Sequence, residues 1–285
     1  MNPLPTRLSW SGHTEQGRRK NNEDAFLGLA IDAHEVRHLG KIGESEDESI
    51  DLVFAVSDGM GGAQAGEFAS RITVEKITRM LPPLFKQRAS GLSTGIEDVM
   101  EALFDEIHRA LLYLSSCYEE CSGMGATLSL CWFTPEWMFF GHIGDSRIYY
   151  LPASGGIQQL SEDDTHVGWL QRTGAINERE AKNHPRRNLL QKALGAGHQF
   201  ITPQVGAVST APGDRFLLCS DGVTEGLYES QLREILDEGS KGSSPAHHLV
   251  TEAIAHSGTD NTTAVIVTIN PLFFGHHRAH CPELP

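Results

Sequence analysis

Thr127-Leu128-Ser129-Leu130-Cys131-Trp132-Phe133, Trp137-Met138-Phe139-Phe140-Gly141 and Ile148-Tyr149-Tyr150-Leu151 follow one another at close spacing. Each run is short, apolar and rich in aromatic residues, as a buried strand is. The links between them are too short for a helical crossover, so neighbouring strands pair antiparallel. Working outward, residues 52–56, 216–219 and 263–269 read as further strands. Ile96, Val99, Leu103, Ile107, Ala110 and Leu114 recur at helical spacing and predict a helix over 95–121. A second helix is predicted over 67–80, stopping before Pro82-Pro83. Weaker helical segments run over 167–173, 178–183, 229–237 and 245–256. Two long helices arrive early and together, without the regular strand–helix alternation of a dinucleotide-binding chain. That order predicts an α+β domain of antiparallel sheets with helices packed outside.

The 285 residues are 39% hydrophobic and include 29 Gly, an ordinary globular make-up that excludes a disordered or collagen-like chain. Thirty-seven acidic side chains against 23 basic ones leave a formal charge of −14, which excludes non-specific nucleic-acid binding. Cys117, Cys121, Cys131, Cys219 and Cys281 are odd in number and sparse, pointing to a reducing compartment. The first ten residues hold Pro3 and Pro5 and no signal-peptide core. No apolar run approaches the roughly 18 residues of a membrane span. The expectation is a cytoplasmic chain with one domain over 1–270 and a separable tail over 271–285. The acidic stretch 41–51 reads as a solvated loop.

One phrase occurs twice. Phe54-Ala55-Val56-Ser57-Asp58-Gly59 and Leu217-Leu218-Cys219-Ser220-Asp221-Gly222 are both apolar strand followed by Ser-Asp-Gly. Each strand delivers an aspartate at its end, and the glycine is expected to turn the backbone away. Further carboxylates arrive at Asp260-Asn261, in Gly144-Asp145-Ser146-Arg147, and in Asn21-Asn22-Glu23-Asp24. A single Asp-Gly is a turn signal; the ordered set is not explained by turns. Two like charges about 4 Å apart repel by several kcal/mol at intermediate dielectric. Convergence therefore calls for raised pKa values or bound cations, and clustered carboxylates with a carbonyl suit Mg²⁺ or Mn²⁺ over zinc.

With Arg19-Lys20-Asn21-Asn22-Glu23-Asp24, Ser57-Asp58-Gly59-Met60-Gly61-Gly62, Gly123-Met124-Gly125-Ala126-Thr127, Gly144-Asp145-Ser146-Arg147, Ser220-Asp221-Gly222 and Asp260-Asn261-Thr262-Thr263 in order, the chain resembles the metal-dependent protein serine/threonine phosphatases of the 2C type, bacterial branch. The resemblance spans about residues 12–270. It implies a four-layer α/β/β/α sandwich of two antiparallel sheets flanked by helices. It implies that Asp58 bridges two Mg²⁺ or Mn²⁺ ions, with the Gly59 carbonyl, Asp221 and Asp260 completing the coordination. Glu23 and Asp24 would act directly or through water, and Asp145 would hold a third, weaker ion with Asp221. Arg19 would grip the substrate phosphate, and a water or hydroxide between the metals would attack phosphoserine or phosphothreonine. Asp58 and Arg19 are then the catalytic pair. The implied substrates are phosphoproteins of a serine/threonine kinase pathway and the implied state is a monomer, with neither nucleic acid nor membrane as partner.

Departures from the pattern are visible. The glycine ahead of the phosphate arginine stands close, at Gly17, so Arg18 is the alternative to Arg19. Met60 occupies a slot that eukaryotic relatives fill with a proposed histidine acid, and a thioether cannot donate a proton. Residues 163–194 resemble a mobile flap beside the cleft, where His184 is a candidate substrate contact. Asp163-Asp164 are expected to cap the helix that follows. Ser57 and Ser220 read as turn or strand-end residues, not nucleophiles. Cys117 and Cys121, and the His276-His277 and His280-Cys281 cluster, lack a matching half at zinc-site spacing, and Cys117 is expected to pack on a helix face. Two other functions compete with hydrolysis of phosphoproteins. One is a pseudophosphatase that only binds a phosphorylated partner; the other is a two-metal phosphodiesterase or nuclease, which the acidic charge disfavours.

Overall fold

The computed structural model describes residues 6–32, 35–62, 65–89, 95–197, 200–238 and 243–271. Beyond Pro271, the predicted tail with its His/Cys cluster lies outside the described residues. In chain order the elements are β1 (Thr6–Glu15), β2 (Asp24–Ile31), β3 (Val36–His38), β4 (Ile42–Ser45), β5 (Asp51–Met60), α1 (Ala65–Ala89), α2 (Ile96–Cys117), β6 (Gly125–Ala126), β7 (Leu128–Phe133), β8 (Trp137–Ile143), β9 (Arg147–Leu151), β10 (Gln158–Gln159), α3 (His166–Arg172), α4 (Glu178–Lys182), β11 (Gln204–Ser209), β12 (Arg215–Cys219), α5 (Asp221–Gly226), α6 (Glu229–Glu238), α7 (Pro245–His256) and β13 (Thr262–Pro271). One sheet has the order β10-β9-β12-β13-β1-β4, the other β11-β8-β7-β5-β2-β3 with β6 against β5, and every pairing is antiparallel.

Period-2 alternation turns two sheets into four layers. Along β5, Leu52, Phe54 and Val56 face the space between the sheets, while Val53 and Ala55 pack beneath α1 and α2 with Met100 and Phe104. Along β12 and β13, Phe216, Leu218, Val265 and Val267 face inward. Leu217, Cys219, Ala264 and Ile266 pack outward on the helical layer that includes Leu232, Leu249 and Val250. The result is helices, sheet, sheet, helices, as expected. Among the described residues no helix is long and apolar enough to cross a membrane.

The structure corrects several expectations. α1 continues through Pro82-Pro83 to Ala89; Ile77 and Leu81 are fully buried in the core, and that packing outweighs the missing proline N–H groups. The acidic stretch is not all loop, because Ile42–Ser45 adds an edge strand to β1, where Arg7 pairs with Glu44 at 3.2 Å. α2 stops at Cys117, and a short 3-10 turn holds Glu119–Cys121. Cys117 is exposed, and Cys121 enters the core instead.

Candidate metal centre

The β1–β13 ladder pairs Glu15 with Thr262, so the turn leaving β1 lies beside the residues entering β13. Gly17 adopts φ +59°, and a Cβ there would stand 2.3 Å from the Asp260 carbonyl oxygen. Only glycine tolerates both conditions. The same turn brings Arg19 into an ion pair with Asp260. Asn261 fastens it: Nδ2 donates to the carbonyls of Gln16 and Asn21 at 2.9 Å each, and Oδ1 accepts from the Glu23 amide at 2.8 Å.

Next to it, the β2–β5 register sets Asp24 opposite Asp58. The Asp58 amide donates to Thr127 Oγ1 at 2.9 Å, and the Thr127 amide returns a bond to the Asp58 carbonyl at 2.8 Å. Thr127 Oγ1 also meets Ser146 Oγ at 2.7 Å. Asp24 Oδ2 accepts from Ser220 Oγ at 2.7 Å and from Thr263 Oγ1 at 2.6 Å. Asp145 sits in the turn between β8 and β9, and Asp221 opens α5. Behind that turn, His142 is buried between Ser129 Oγ at 2.9 Å and the Gly144 carbonyl at 3.1 Å. Burial lowers its pKa, and a neutral ring donating from Nε2 and accepting at Nδ1 satisfies both partners.

These chain ends border one cleft of ≈440 Å³. Arg19, Glu23, Asp58, Gly59, Asp145, Asp221 and Asp260 line it, joined by Met60 and by Asn188 and Leu190 of the flap segment. Asp24 lies buried beside Asp58. Arg18 is exposed outside the cleft, its amide bonded to the Gly258 carbonyl. His184 also stays outside, its Nδ1 accepting the Arg186 amide at 3.2 Å. Asp163 and Asp164 do not cap α3; Thr165 does, with Oγ1 accepting the Gly168 amide. Asp163 instead takes a two-pronged bond from the partly buried Arg147 at 2.9 and 2.7 Å, and Asp164 Oδ2 accepts the Gly144 amide. The sequence did not reveal Asn261, Thr127 and Thr263 as supports; Asn261 directly follows Asp260, whereas Thr127 and Thr263 reach Asp58 and Asp24 only through the fold.

The electrostatics show what the cleft lacks. Burial, then Asp24, Asp221, Asp145 and Asp260, pushes the Asp58 carboxyl well above the usual range. Burial, then Asp145 and Asp260, does the same to Asp221. Asp24 rises to about 6 through burial, against its two hydroxyl donors, and Asp145 to about 7 through burial and Asp163. Oδ1 of Asp24 and Oδ1 of Asp221 are buried without a hydrogen-bond partner among the described residues. Buried carboxylate oxygens of this kind call for a cation or a proton. An all-oxygen donor set fits Mg²⁺ or Mn²⁺. Among the described residues no three His, Cys, Asp or Glu side chains already close on one point. A counter-charge bound in the cleft would offset the mutual repulsion of these carboxylates.

The family profile described as protein phosphatase 2C matches residues 41–257. The chain belongs to the protein phosphatase 2C family. The serine/threonine phosphatase stp of Listeria monocytogenes is 32% identical to this phosphatase over 256 residues, covering 89% of this chain and 93% of that one. The serine/threonine protein phosphatase PstP of Mycobacterium tuberculosis is 32% identical over 223 residues, 78% of this chain and 41% of the relative. A crystal structure of a PstP catalytic domain in complex with two manganese ions superposes with a TM-score of 0.72 at 26% identity, covering 93% of this chain and 99% of that one. A Staphylococcus aureus serine/threonine phosphatase gives a TM-score of 0.76 over 95% and 98% of the two chains; at 24% identity it speaks for the fold. The 2C resemblance and the sandwich architecture read from sequence are both borne out.

Proposed function

We propose that this 2C-family chain is a divalent-metal-dependent phosphatase that hydrolyses phosphoserine and phosphothreonine in proteins. In this reading Asp58, Asp221, Asp260 and the Gly59 carbonyl hold two Mg²⁺ or Mn²⁺ ions. Glu23 and Asp24 support them directly or through water, and Asp145 shares a third ion with Asp221. The observation that carries the reading is the cleft itself, where carboxylates pushed up by burial and by one another, one with an unpartnered oxygen, face a half-exposed Arg19 at the rim.

Bound there, two such ions would supply a water of lowered pKa and offset charge on the phosphoryl oxygens. The protein's own groups do the rest. A guanidinium has five N–H donors, so Arg19 can hold Asp260 and still present donors to a phosphate. Ser220 and Thr263 fix the orientation of Asp24, and Thr127 fixes the backbone of Asp58. Ser57 donates to the Thr127 carbonyl at 2.7 Å and Ser220 to Asp24, so neither hydroxyl is poised as a nucleophile. Met60 cannot donate a proton, and no histidine is among the described cleft-lining residues. Protonation of the leaving alkoxide would then fall to water or to another group of the cleft, whose lining includes Lys20 and Asp145.

Every main carboxylate of the set is present, which favours turnover over mere phosphopeptide binding. The setting we infer is a monomer in the cytoplasm, acting on phosphoproteins of a serine/threonine kinase pathway. Hydrolysis of p-nitrophenyl phosphate and of a phosphothreonine peptide should require Mn²⁺ or Mg²⁺ and stop with EDTA. A purified protein that binds the peptide but turns over neither substrate with Mn²⁺ present is a pseudophosphatase, and the proposal fails.

A further inference from the structure

The flap segment is rooted firmly at both ends. Asp163 takes the Arg147 guanidinium, Asp164 exchanges bonds with Gly144, and Leu194 pairs with Ala126 through two backbone hydrogen bonds of 2.8 and 2.9 Å. Between the roots, α3 and α4 face α5 across a second cavity of ≈240 Å³ that adjoins the metal cleft, since Asp145, Asp221 and Asn188 line both. Three side chains on or just after α4 cross to α5, α6 and the turn between them. Lys182 Nζ donates to the Leu227 carbonyl at 2.7 Å and lies 3.8 Å over the Tyr228 ring. Glu178 Oε1 accepts the Glu229 amide at 2.9 Å. Arg187 reaches Glu225 at a looser 3.4 Å.

Lys182 is the tightest of the three. Leu227 is 1% exposed, so its carbonyl needs this donor, and the ammonium adds a cation–π contact that the other two crossings lack. Both sides of the contact lead to the cleft. Six residues after Lys182, Asn188 enters the cleft wall together with Leu190; on the other side, α5 begins at Asp221 and ends just before Leu227.

We propose that Lys182 is a positioning residue that fastens the flap to the α5–α6 turn and thereby sets how tightly the cleft holds a phosphopeptide. The inference rests on the phosphatase reading for its kinetic half only. Under this proposal a small ester such as p-nitrophenyl phosphate needs only the cleft floor, whereas a phosphopeptide would also meet Asn188 and Leu190 in the cleft wall. Lys182→Met keeps the aliphatic stem and removes the donor and the charge; Lys182→Arg keeps both.

Two measurements test it. Amide hydrogen exchange followed by mass spectrometry should rise over residues 178–190 in Lys182→Met and stay at the wild-type level in β5 and in Lys182→Arg. With Mn²⁺, Lys182→Met should raise KM for a phosphothreonine peptide about tenfold at unchanged kcat, with p-nitrophenyl phosphate kinetics unaltered and Lys182→Arg close to wild type. Unchanged exchange over 178–190 overturns the fastening role, whether or not the wild type is active. An equal loss on both substrates, or an unchanged peptide KM, overturns the link to substrate holding. A wild type inert to both substrates sinks the phosphatase reading instead, and the exchange result still decides what Lys182 does.

Discussion

Ser57-Asp58-Gly59 and Ser220-Asp221-Gly222 are the same words used in different structural grammar. The first lies inside β5, which runs on through Gly59 to Met60 before the chain turns at Gly61 and Gly62 with φ of 122° and 89°. The second ends a strand at Cys219, and Ser220 takes the N-cap position of α5. Neither glycine makes the turn expected of it. Each permits a close approach instead: a Cβ on Gly59 would lie 1.9 Å from the Gly66 carbonyl oxygen, and one on Gly222 2.0 Å from that of Asn261. The serines differ too, Ser57 tying β5 to Thr127 and Ser220 reaching across to Asp24. The shared phrase therefore encodes a backbone contact next to a buried aspartate, and the secondary structure around it is free to vary.

The aspartates should give the largest effects. Asp58 is pressed by four neighbouring carboxylates and sits at the centre of the set. Asp58→Asn is expected to lower Mn²⁺-dependent kcat about a thousandfold, and Asp221→Asn to lower it by less while raising the Mn²⁺ needed for half-saturation. Equal turnover of Asp58→Asn and wild type would falsify the bridging assignment. The glycines come next. Gly59→Ala and Gly222→Ala each force backbone apart and should destabilise the fold by about 3 kcal/mol, read from urea unfolding. If either variant unfolds like wild type, that glycine is there for another reason.

The carboxylates were legible because chemistry repeats in sequence: a strand-end aspartate followed by glycine, used twice, with an ordered set around it. The helical periodicity was equally plain: Ile96, Val99, Leu103 and Ile107 lie on the buried face of α2, while Ala110 and Leu114 of the same stripe are only half-buried and Leu111 takes the inward place. β1 was not legible. Leu8-Ser9-Trp10-Ser11-Gly12-His13 alternates, but Ser11 faces α7 and accepts the Ala246 amide at 3.1 Å, while His13 stacks edge-on against His247 at 4.6 Å. A central strand with a polar buried face carries no hydrophobic pattern to read. The choice between Arg18 and Arg19 and the place of His184 depend on how turns lie against Gly258 and Arg186, contacts that close only in three dimensions.

The serines separate the two phrases by function. Removing Ser57 costs one buried hydrogen bond to a carbonyl, about 1 kcal/mol of stability, and leaves every carboxylate as it was. Removing Ser220 takes one of two hydroxyl donors from Asp24. Ser220→Ala should therefore weaken Mn²⁺ activation about tenfold while Ser57→Ala leaves it unchanged. Matching activation curves for the two variants would make the phrases equivalent after all.

The same contrast can be sharpened through pH. Asp24 and Asp145 titrate at about 6 and about 7 in the folded, metal-free chain, above the ordinary aspartate value of about 3.9. Between those values the folded state holds protons that the unfolded chain has released. The stability these two carboxyls contribute is therefore fully present below about pH 4 and is lost as pH rises through 6 and 7. For Asp24 alone the loss is on the order of 3 kcal/mol once ionised, several degrees in Tm for a domain of this size. Mn²⁺ competes with those protons, so its stabilising effect should be small at pH 5 and several degrees at pH 7.5 in thermal melts against EDTA. Ser220→Ala, which strips a donor from the ionised Asp24, should steepen the fall in the EDTA series, and Ser57→Ala should leave the slope alone. A Mn²⁺ shift that is the same at both pH values would mean that protons and cations are not contending for these oxygens.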